Sequence, residues 1–212
     1  MSETFIQKHW YDGWFYARFI DSDSSTIRDR MHQYIDDNRR IIDIGCGTGG
    51  FAMKLAPRSR EVVGVDISDK QVRQARHRQE RSGYTNIRFE HTDATRLDKF
   101  APEAFDYATM VFVIHEIDQE KRIELLRQAG RISRKIVILD YHVPLARNFW
   151  GMNIRIIEYF TSKTHFSNFI DFRRRGGINP LAKEAGLDVE MQKTNRQRIF
   201  TTTVLRPPLR PR

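Results

Sequence analysis

The sequence predicts an α/β fold in which a doubly wound sheet of seven strands is mostly parallel and ends in an antiparallel hairpin. Three observations predict this fold. Short apolar runs alternate with amphipathic stretches from residue 40 to about residue 140, as they do in consecutive strand–helix units. A glycine-rich turn follows the first apolar run. Two further apolar runs near the C-terminal end are separated only by a short polar segment, which is typical of a hairpin.

The composition indicates a globular protein, and we expect residues 1–212 to form one domain. Of the 212 residues, 40% are hydrophobic and 30% are charged. The chain lacks an uninterrupted apolar stretch of about 18 residues, and its first residues do not have the apolar core of a secretory signal. Cys46 is the only cysteine, which excludes an intramolecular disulfide and a cysteine-rich zinc site. We therefore expect a cytoplasmic protein and no metal.

The elements of the first two thirds follow from hydrophobic periodicity. Residues 1–38 are expected to be helical, with helices at 3–20 and 25–37. Ser68 and Asp118 are expected to cap the second and third helices of the core region, residues 39–141. The strands of that region are expected at 40–44, 61–66, 87–91, 107–113 and 135–140, and its helices at 50–55, 69–81 and 118–132.

The character of the chain changes after the fifth strand. Residues 142–186 are expected to form a helical cap inserted after that strand, because 147–175 are rich in aromatic side chains and 179–185 have a helical pattern that stops at Gly186. The remaining residues are expected to form the C-terminal hairpin and a basic tail, at 187–205 (strands 187–193 and 199–205) and 206–212.

The turn after the first strand has the composition of a ligand-binding loop. Gly45, Gly47 and Gly49 allow a sharp turn and a close approach of the backbone to a ligand. Gly45, Gly47 and Gly50 also satisfy the GxGxxG pattern of dinucleotide-binding folds, so that interpretation stays open. Asp66, at the end of the second strand, can accept hydrogen bonds from ribose hydroxyls in either interpretation.

Two other carboxylates bear on the choice of ligand. Asp43 lies beside the turn, where it would repel a pyrophosphate but would favour a ligand that carries a sulfonium and an ammonium group. Asp93 follows the third strand, where a carboxylate can accept a hydrogen bond from the exocyclic amino group of adenine. These positions favour a cationic nucleoside ligand without phosphate.

In this order, the motifs resemble those of the class I S-adenosylmethionine-dependent methyltransferases, which have a Rossmann-like doubly wound sheet. The resemblance covers about residues 40–140 and includes the glycine turn, the acidic end of Val62–Asp66, Thr92-Asp93-Ala94 and the run 105–117. Ile132-Ser133-Arg134 departs from the Pro-Gly-Gly that the family often has. The resemblance implies S-adenosylmethionine as cofactor and S-adenosylhomocysteine as product. It implies cofactor contacts from Asp43, Gly45, Gly47, Thr48, Gly49, Asp66, Ile67, Asp93, Ala94, Val111 and Tyr11.

Candidate catalytic residues follow the fourth and fifth strands, at the edge where open α/β sheets bind ligands. They are His115, Glu116, Tyr141 and His142. Methyl transfer from a sulfonium depends on positioning the acceptor, and a general base is needed only when the nucleophile starts protonated. The pKa range of histidine suits proton transfer. The alternative for each of the four residues is a purely structural role.

Within the family, the chain most resembles the small-molecule branch that includes the quinone and sterol C-methyltransferases. Tyr11-Asp12 resembles a Tyr-Asp pair of that branch, which places the N-terminal helix over the cofactor. The fourth strand lacks a following Asn-Pro-Pro-Tyr sequence, which argues against methylation of a conjugated amino nitrogen. We therefore expect a small-molecule or lipid-like acceptor beneath the aromatic segment. Arg173–Arg175 are expected to contact an anionic group or a membrane surface.

Three alternatives remain open. A net charge of +9 and a pI near 9.9 suit an RNA methyltransferase, although the sequence has no evident additional RNA-binding module. The GxGxxG pattern also suits an NAD-dependent oxidoreductase. A non-catalytic protein that retains a cofactor pocket would have the same motifs.

Overall fold

The structure is a computed structural model that describes residues 31–160 and 162–208. The expected helix 3–20, the cofactor contact assigned to Tyr11, residues 25–30 of the expected helix 25–37 and residues 209–212 of the basic tail lie outside the described residues. The described residues contain the whole predicted sheet.

Seven strands form one sheet in the order β3-β2-β1-β4-β5-β7-β6. Strands β1 to β5 are mutually parallel, and β7 runs antiparallel to both β5 and β6. The predicted fold class is therefore confirmed. The strands are β1 Arg40–Ile44, β2 Glu61–Asp66, β3 Ile87–His91, β4 Phe105–Val111, β5 Ser133–Tyr141, β6 Asp188–Thr194 and β7 Phe200–Arg206.

Helices connect the parallel strands and cover the sheet. Strands β1, β2, β4 and β5 are buried along most of their length, as expected for parallel strands that are covered on both faces. Between β5 and the hairpin, three helices form the expected insertion, and we call the first two the inserted helices. The helices are α1 Gly50–Leu55, α2 Asp69–Ser82, α3 Gln119–Ile132, α4 Phe149–Tyr159, α5 Lys163–Arg174 and α6 Ile178–Glu184.

The fourth and fifth strands differ from their predicted bounds. Strand β4 begins at Phe105 and ends at Val111 rather than spanning 107–113. It stops there because Phe112 has φ 57°, a left-handed conformation that ends an extended strand. Strand β5 is longer than predicted, because Ser133 pairs with Phe105 and Tyr141 pairs with Phe200 of β7.

Helix ends account for the other differences. The helix expected to reach residue 37 is wrong at its end, because the chain makes a 3₁₀ turn over His32–Tyr34 and is extended at Ile35. Ser68 caps α2 as predicted, by accepting a hydrogen bond from the Gln71 amide at 3.4 Å. Asp118 makes no side-chain capping bond to α3. Its carboxylate instead accepts from the Asn168 side-chain amide at 3.1 Å. Helix α6 and strands β6 and β7 lie within one residue of the predicted bounds.

Candidate functional site

The candidate site lies at the carboxyl edge of the parallel strands, where the strand order reverses between β1 and β4. In open α/β sheets the crevice at this reversal is the usual place for ligand binding. The glycine turn leaves β1 at this edge, and Asp66 ends the neighbouring strand β2. The acidic and glycine motifs that are separated in sequence are thus adjacent in the fold.

The glycine turn adopts a conformation that requires glycine. Gly45, Gly47 and Gly49 have φ of 69°, 54° and 79°, a region that side chains with a Cβ rarely adopt. A Cβ on Gly45 would lie 2.6 Å from Cγ2 of Val113, in the segment after β4. The turn after β1 is therefore packed directly against the segment after β4.

Hydrogen bonds within the protein occupy the amides of this turn. The amides of Gly45 and Cys46 both donate to the Val65 carbonyl, at 2.8 and 3.1 Å, and the Gly49 amide donates to the Cys46 carbonyl at 2.9 Å. The Gly47 amide donates to Oδ2 of Asp66 at 2.8 Å. A dinucleotide-binding turn directs such amides at a pyrophosphate, so this arrangement argues against a dinucleotide.

Asp66 is held in place by the backbone and can still accept further hydrogen bonds. Its Oδ1 accepts from the Ser68 amide and its Oδ2 from the Gly47 amide, each at 2.8 Å. An ionised carboxylate has about four acceptor positions, so about two remain for ribose hydroxyls. The side chain is half-buried at the edge of the site. Asp66 therefore fits the role that the family resemblance implies.

A negative potential surrounds the turn. Asp43 is buried, and its Oδ1 accepts from the Thr109 hydroxyl at 2.7 Å. Burial raises the pKa of the Cys46 thiol, and the nearby carboxylates of Asp43 and Asp66 raise this pKa further. Cys46 is thus a buried neutral thiol, and the field that it senses would favour a cationic ligand. These residues fit S-adenosylmethionine.

The residues expected near the adenine lie at the ends of β2 and β3. The Thr92 amide donates to the Asp66 carbonyl at 2.9 Å, which joins the two strand ends. Oδ1 of Asp93 accepts from the Thr95 amide at 2.9 Å, so its orientation is fixed by a local turn. Ile67 is 68% exposed, which leaves an apolar face beside Asp66. The remaining predicted residues at this edge, Thr48, Ala94 and Val111, are half-buried.

The expected catalytic residues divide between two places. His115 is fully buried, and its Nδ1 lies 2.7 Å from Oδ1 of Asp140, the penultimate residue of β5. Oδ2 of Asp140 accepts from the amides of Ile114 and His115, at 3.0 and 3.3 Å. This one carboxylate therefore fixes the segment that follows β4.

The inserted helices bring two further charged side chains to His115. Glu158 of α4 accepts from the Tyr141 hydroxyl at 2.6 Å, and its other oxygen lies 2.6 Å from Nε2 of His165 in α5. Nε2 of His115 lies 3.9 Å from Oε1 of Glu158. We call His115, Asp140, Tyr141, Glu158 and His165 the acceptor-side cluster; all five side chains are buried.

Electrostatics in this cluster favour a positive charge. Burial lowers the pKa of His115, but Asp140, together with Glu158 and Glu116, outweighs this effect and raises it to about 9. Burial raises the pKa of Glu116 to about 7 against the opposing effect of His115, although its side chain keeps 34% of its surface exposed. Glu116 is thus the predicted catalytic residue best placed to meet a ligand.

His142 does not join the acceptor-side cluster. Its Nδ1 lies 3.0 Å from the Thr201 hydroxyl oxygen on β7. Burial, together with Arg198, lowers its pKa. The structure therefore separates His142 from the other three predicted catalytic residues.

Arg173–Arg175 do not present three equivalent cations at one surface. The Arg173 guanidinium lies over the Phe169 ring, 5.3 Å from its centroid. Arg175 donates to Asp171 at 3.0 Å, while Arg174 is exposed. Arg174 is therefore the member of this run best placed for an anionic group.

The sequence did not indicate Glu158, His165 or Arg122 as functional. Arg122 is fully buried within α3; it donates to Asp171 of α5 at 2.8 Å and to the carbonyls of Ile117 and Asn168 at 2.9 and 2.6 Å. An arginine in an amphipathic helix is usually exposed. Glu158 and His165 lie on different helices, so their proximity has no periodic signal.

Comparison with known proteins gives the same result as the geometry. A family model described as a methyltransferase domain matches residues 41–135. Residues 41–135 therefore carry the sequence features of a methyltransferase domain. Together with the geometry of the glycine turn, this match indicates S-adenosylmethionine as the cofactor. A dinucleotide-binding sheet would continue with a sixth parallel strand beyond β5, whereas β7 pairs antiparallel with β5 at that position.

Among curated proteins, the chain is 42% identical over 153 residues to the 23S rRNA (uracil(1939)-C(5))-methyltransferase of Stenotrophomonas maltophilia, covering 66% of this chain and 33% of that protein. It is 29% identical over 133 residues to the demethylmenaquinone methyltransferase of Clavibacter sepedonicus. This match covers 61% of this chain and 53% of that protein. A solved S-adenosylmethionine-dependent methyltransferase from Methanosarcina mazei shares the fold with a TM-score of 0.63 and 16% identity. The superposition covers 85% of this chain and 98% of that chain.

The chain spans only part of three further curated methyltransferases that it matches. The matched share of their length is 42%, 19% and 55%. Among the described residues, no helix is both long enough and apolar enough to cross a membrane.

Proposed function

We propose that this protein transfers the methyl group of S-adenosylmethionine to an apolar, lipid-like small molecule. The observation that carries this proposal is the character of the helices inserted after β5, where the acceptor would approach. One side of α4 and the residue after it expose large apolar side chains to solvent. They are Phe149, Trp150, Met152, Ile156, Tyr159 and Phe160, which are between 47% and 74% exposed.

Such a surface suits an apolar acceptor better than a nucleic acid. Contiguous exposed apolar side chains mark ligand, protein or membrane contacts, whereas nucleic acid is bound through basic side chains that contact phosphates. In the described part of the insertion, Arg173 and Arg175 are engaged with Phe169 and Asp171. The apolar face is therefore the larger feature on this side of the protein.

When bound, S-adenosylmethionine supplies a methyl group activated by the adjacent sulfonium. Asp66 would hold the ribose, Asp93 and Ile67 would border the adenine, and Asp43 would favour the positive charge through its field. Val111 ends β4 beside the turn, and the left-handed conformation of the next residue, Phe112, is a strain of the kind found at binding sites. Catalysis would then consist mainly of holding the acceptor in line.

The relatives include enzymes of both acceptor classes. This chain spans 33% of the matched rRNA methyltransferase. It spans 53% of the demethylmenaquinone methyltransferase. The charge of +9 is the observation that supports RNA as the second candidate.

Methyl transfer from a tritiated donor tests the proposal. The full chain is incubated with the labelled donor and either a total lipid extract or total RNA, and label is counted in the organic phase and in acid-precipitated RNA. We expect label in the organic phase. The D66A variant is the control, because weaker ribose binding should lower the signal at a subsaturating donor concentration.

Label in RNA but not in lipid would replace the lipid-like acceptor with the second candidate. Calorimetric titration with S-adenosylhomocysteine and with NADH provides the other test. Tight binding of S-adenosylhomocysteine with no label in any acceptor fraction would indicate a non-catalytic binder. Binding of NADH in its place would overturn the cofactor assignment.

A further inference from the structure

Three potential metal ligands converge in the acceptor-side cluster. The imidazoles of His115 and His165 and the carboxylate of Glu158 each offer one ligand atom, and these atoms all lie within 4.8 Å of one another. The side chains of His115 and Glu158 are fully buried and His165 is 4% exposed. They come from the segment after β4 and from both inserted helices.

The orientation of His115 is that of a metal ligand. Its Nδ1 is hydrogen-bonded to Asp140 at 2.7 Å, and such a carboxylate partner on one ring nitrogen directs the other towards a metal. Among the described residues, Nε2 of His115 is buried and has no hydrogen-bond partner. An unpaired buried polar atom is costly, and a metal ion would satisfy this one.

The separations of Glu158 from the two histidines are short enough for one ion, whereas the set as a whole spans up to 4.8 Å, so its side chains must move closer to bind an ion. Two atoms that each lie about 2.0–2.2 Å from a zinc ion can be at most about 4.4 Å apart. Nε2 of His115 and Oε1 of Glu158 are separated by 3.9 Å. Nε2 of His165 lies 2.6 Å from Oε2 of Glu158, so binding would exchange that hydrogen bond for two metal bonds. Small side-chain movements would bring the three ligand atoms within bonding distance of one ion.

We propose that His115, Glu158 and His165 form a binding site for a divalent transition-metal ion such as zinc. Two imidazoles and a carboxylate are ligands that such ions prefer over magnesium or calcium. Oε1 of Glu116 lies 3.8 Å from Nε2 of His115 and belongs to a partly exposed side chain. Glu116 is not a member of the group of three ligands, so its side chain would have to move closer to serve as a fourth ligand on the side that faces solvent.

This site is separate from the residues that would hold the cofactor and goes beyond the proposed function. Tyr141 donates to Glu158 at 2.6 Å and would orient that ligand. The ion would tie both inserted helices to the end of β4, and thus fix the wall of the acceptor region. Its formation does not require methyl transfer to occur.

Metal titration of the full chain tests the proposal. The protein is treated with a chelator, dialysed and titrated with Co²⁺, whose visible absorption reports nitrogen and oxygen coordination. Zinc content is then measured by mass spectrometry after incubation with one equivalent. We expect one Co²⁺ and one zinc ion per chain, and an increase in Tm with zinc because the ion binds only the folded state.

The substitutions H165Q and E158Q should weaken Co²⁺ binding at least 100-fold. H142Q is the matched control: Nε2 of His142 is also buried without a partner among the described residues, but it is not a member of the ligand group. We expect H142Q to bind Co²⁺ like the wild type.

Calorimetry with S-adenosylhomocysteine checks that each variant is folded, and it separates this site from the cofactor site. If a variant does not fold, the zinc content and the Tm of the wild-type protein decide whether the metal site exists. Less than about 0.1 zinc ion per wild-type chain with an unchanged Tm would overturn the proposal and indicate that His115 carries a proton instead. Equal Co²⁺ affinity of wild type, H165Q and E158Q would also overturn it.

Discussion

At the scale of single residues, the carboxylates of Asp43 and Asp66 distinguish this site from a phosphate-binding one. Asp66 accepts the Gly47 amide, a group that a phosphate-binding turn would direct at its ligand. Asp43 adds a buried negative charge beneath the same turn. These two carboxylates alone therefore favour a cationic nucleoside ligand over a phosphate-containing one.

Replacement of Asp66 by alanine should weaken the binding of S-adenosylhomocysteine by about 1–3 kcal/mol, the range for a lost hydrogen bond to a charged group. Isothermal titration calorimetry measures this change. D69A is the matched control, because Asp69 pairs with Arg73 on an exposed turn of α2. Equal affinities for D66A and the wild type would show that the ribose does not contact Asp66.

Alanine at Gly49 should destabilise the fold by about 3 kcal/mol, because it combines left-handed backbone strain with overpacking. A Cβ there would lie 2.6 Å from the Phe89 ring. Gly83 also has a positive φ, but a Cβ there would meet nothing within 4 Å. G83A should therefore lose only about 1 kcal/mol from strain. Urea denaturation of both variants measures the difference, and equal losses would contradict the packing argument.

At the scale of elements, the insertion of α4 and α5 between β5 and the hairpin shapes the acceptor side. Arg122 joins α3 to α5 through Asp171 and the Asn168 carbonyl. Asp140 joins the end of β5 to the segment after β4. Arg122 thus holds α5 of the insertion against α3, whereas Asp140 fixes the segment after β4.

Substitution of Arg122 by methionine should lower the free energy of unfolding by about 3 kcal/mol, the low end for a broken buried ion pair. The low end applies because the Asp171 side chain keeps 27% of its surface exposed. R127M changes an exposed arginine of the same helix and should change stability by less than about 0.5 kcal/mol. Guanidinium denaturation compares the two, and a similar effect of both would remove Arg122 from its proposed role.

The sequence predicted the cofactor half well and the acceptor half poorly, for a physical reason. Local hydrophobic periodicity determines strands β1 and β2, and glycines at left-handed positions determine the turn between β1 and α1. Both signals can be read directly from the sequence. The proximity of Glu158 to His115 depends on how the inserted helices pack against the segment after β4. This packing is a tertiary property that local sequence patterns do not encode. The expectation of no metal considered cysteine and thus did not address histidine and glutamate ligands.

At the scale of the whole molecule, the charge of +9 and the apolar face of α4 point to different partners. A basic surface raises the local concentration of any anion, including RNA, through interactions that salt screens. Contact with an apolar acceptor depends on burial and is insensitive to moderate salt. The response of the reaction to ionic strength therefore separates the two acceptor classes.

Methyl transfer to a lipid-fraction acceptor should change less than about threefold between 50 and 200 mM salt. Affinity for an RNA acceptor that contacts six or more phosphates would fall by about 10³-fold or more over the same range. Initial rates at subsaturating acceptor measure the effect, with cofactor affinity measured at each salt concentration as the control. A steep loss of rate would favour the RNA alternative.

The buried thiol of Cys46 has a practical consequence for spectroscopy. The chain has no other cysteine, and burial beside two carboxylates raises the pKa of this thiol, so we expect it to react slowly with alkylating reagents. A cysteine introduced at exposed Met152 would therefore react selectively with a maleimide fluorophore. The fluorescence of such a label would test whether the proposed acceptor binds at α4, and every native side chain of the cofactor turn would be kept.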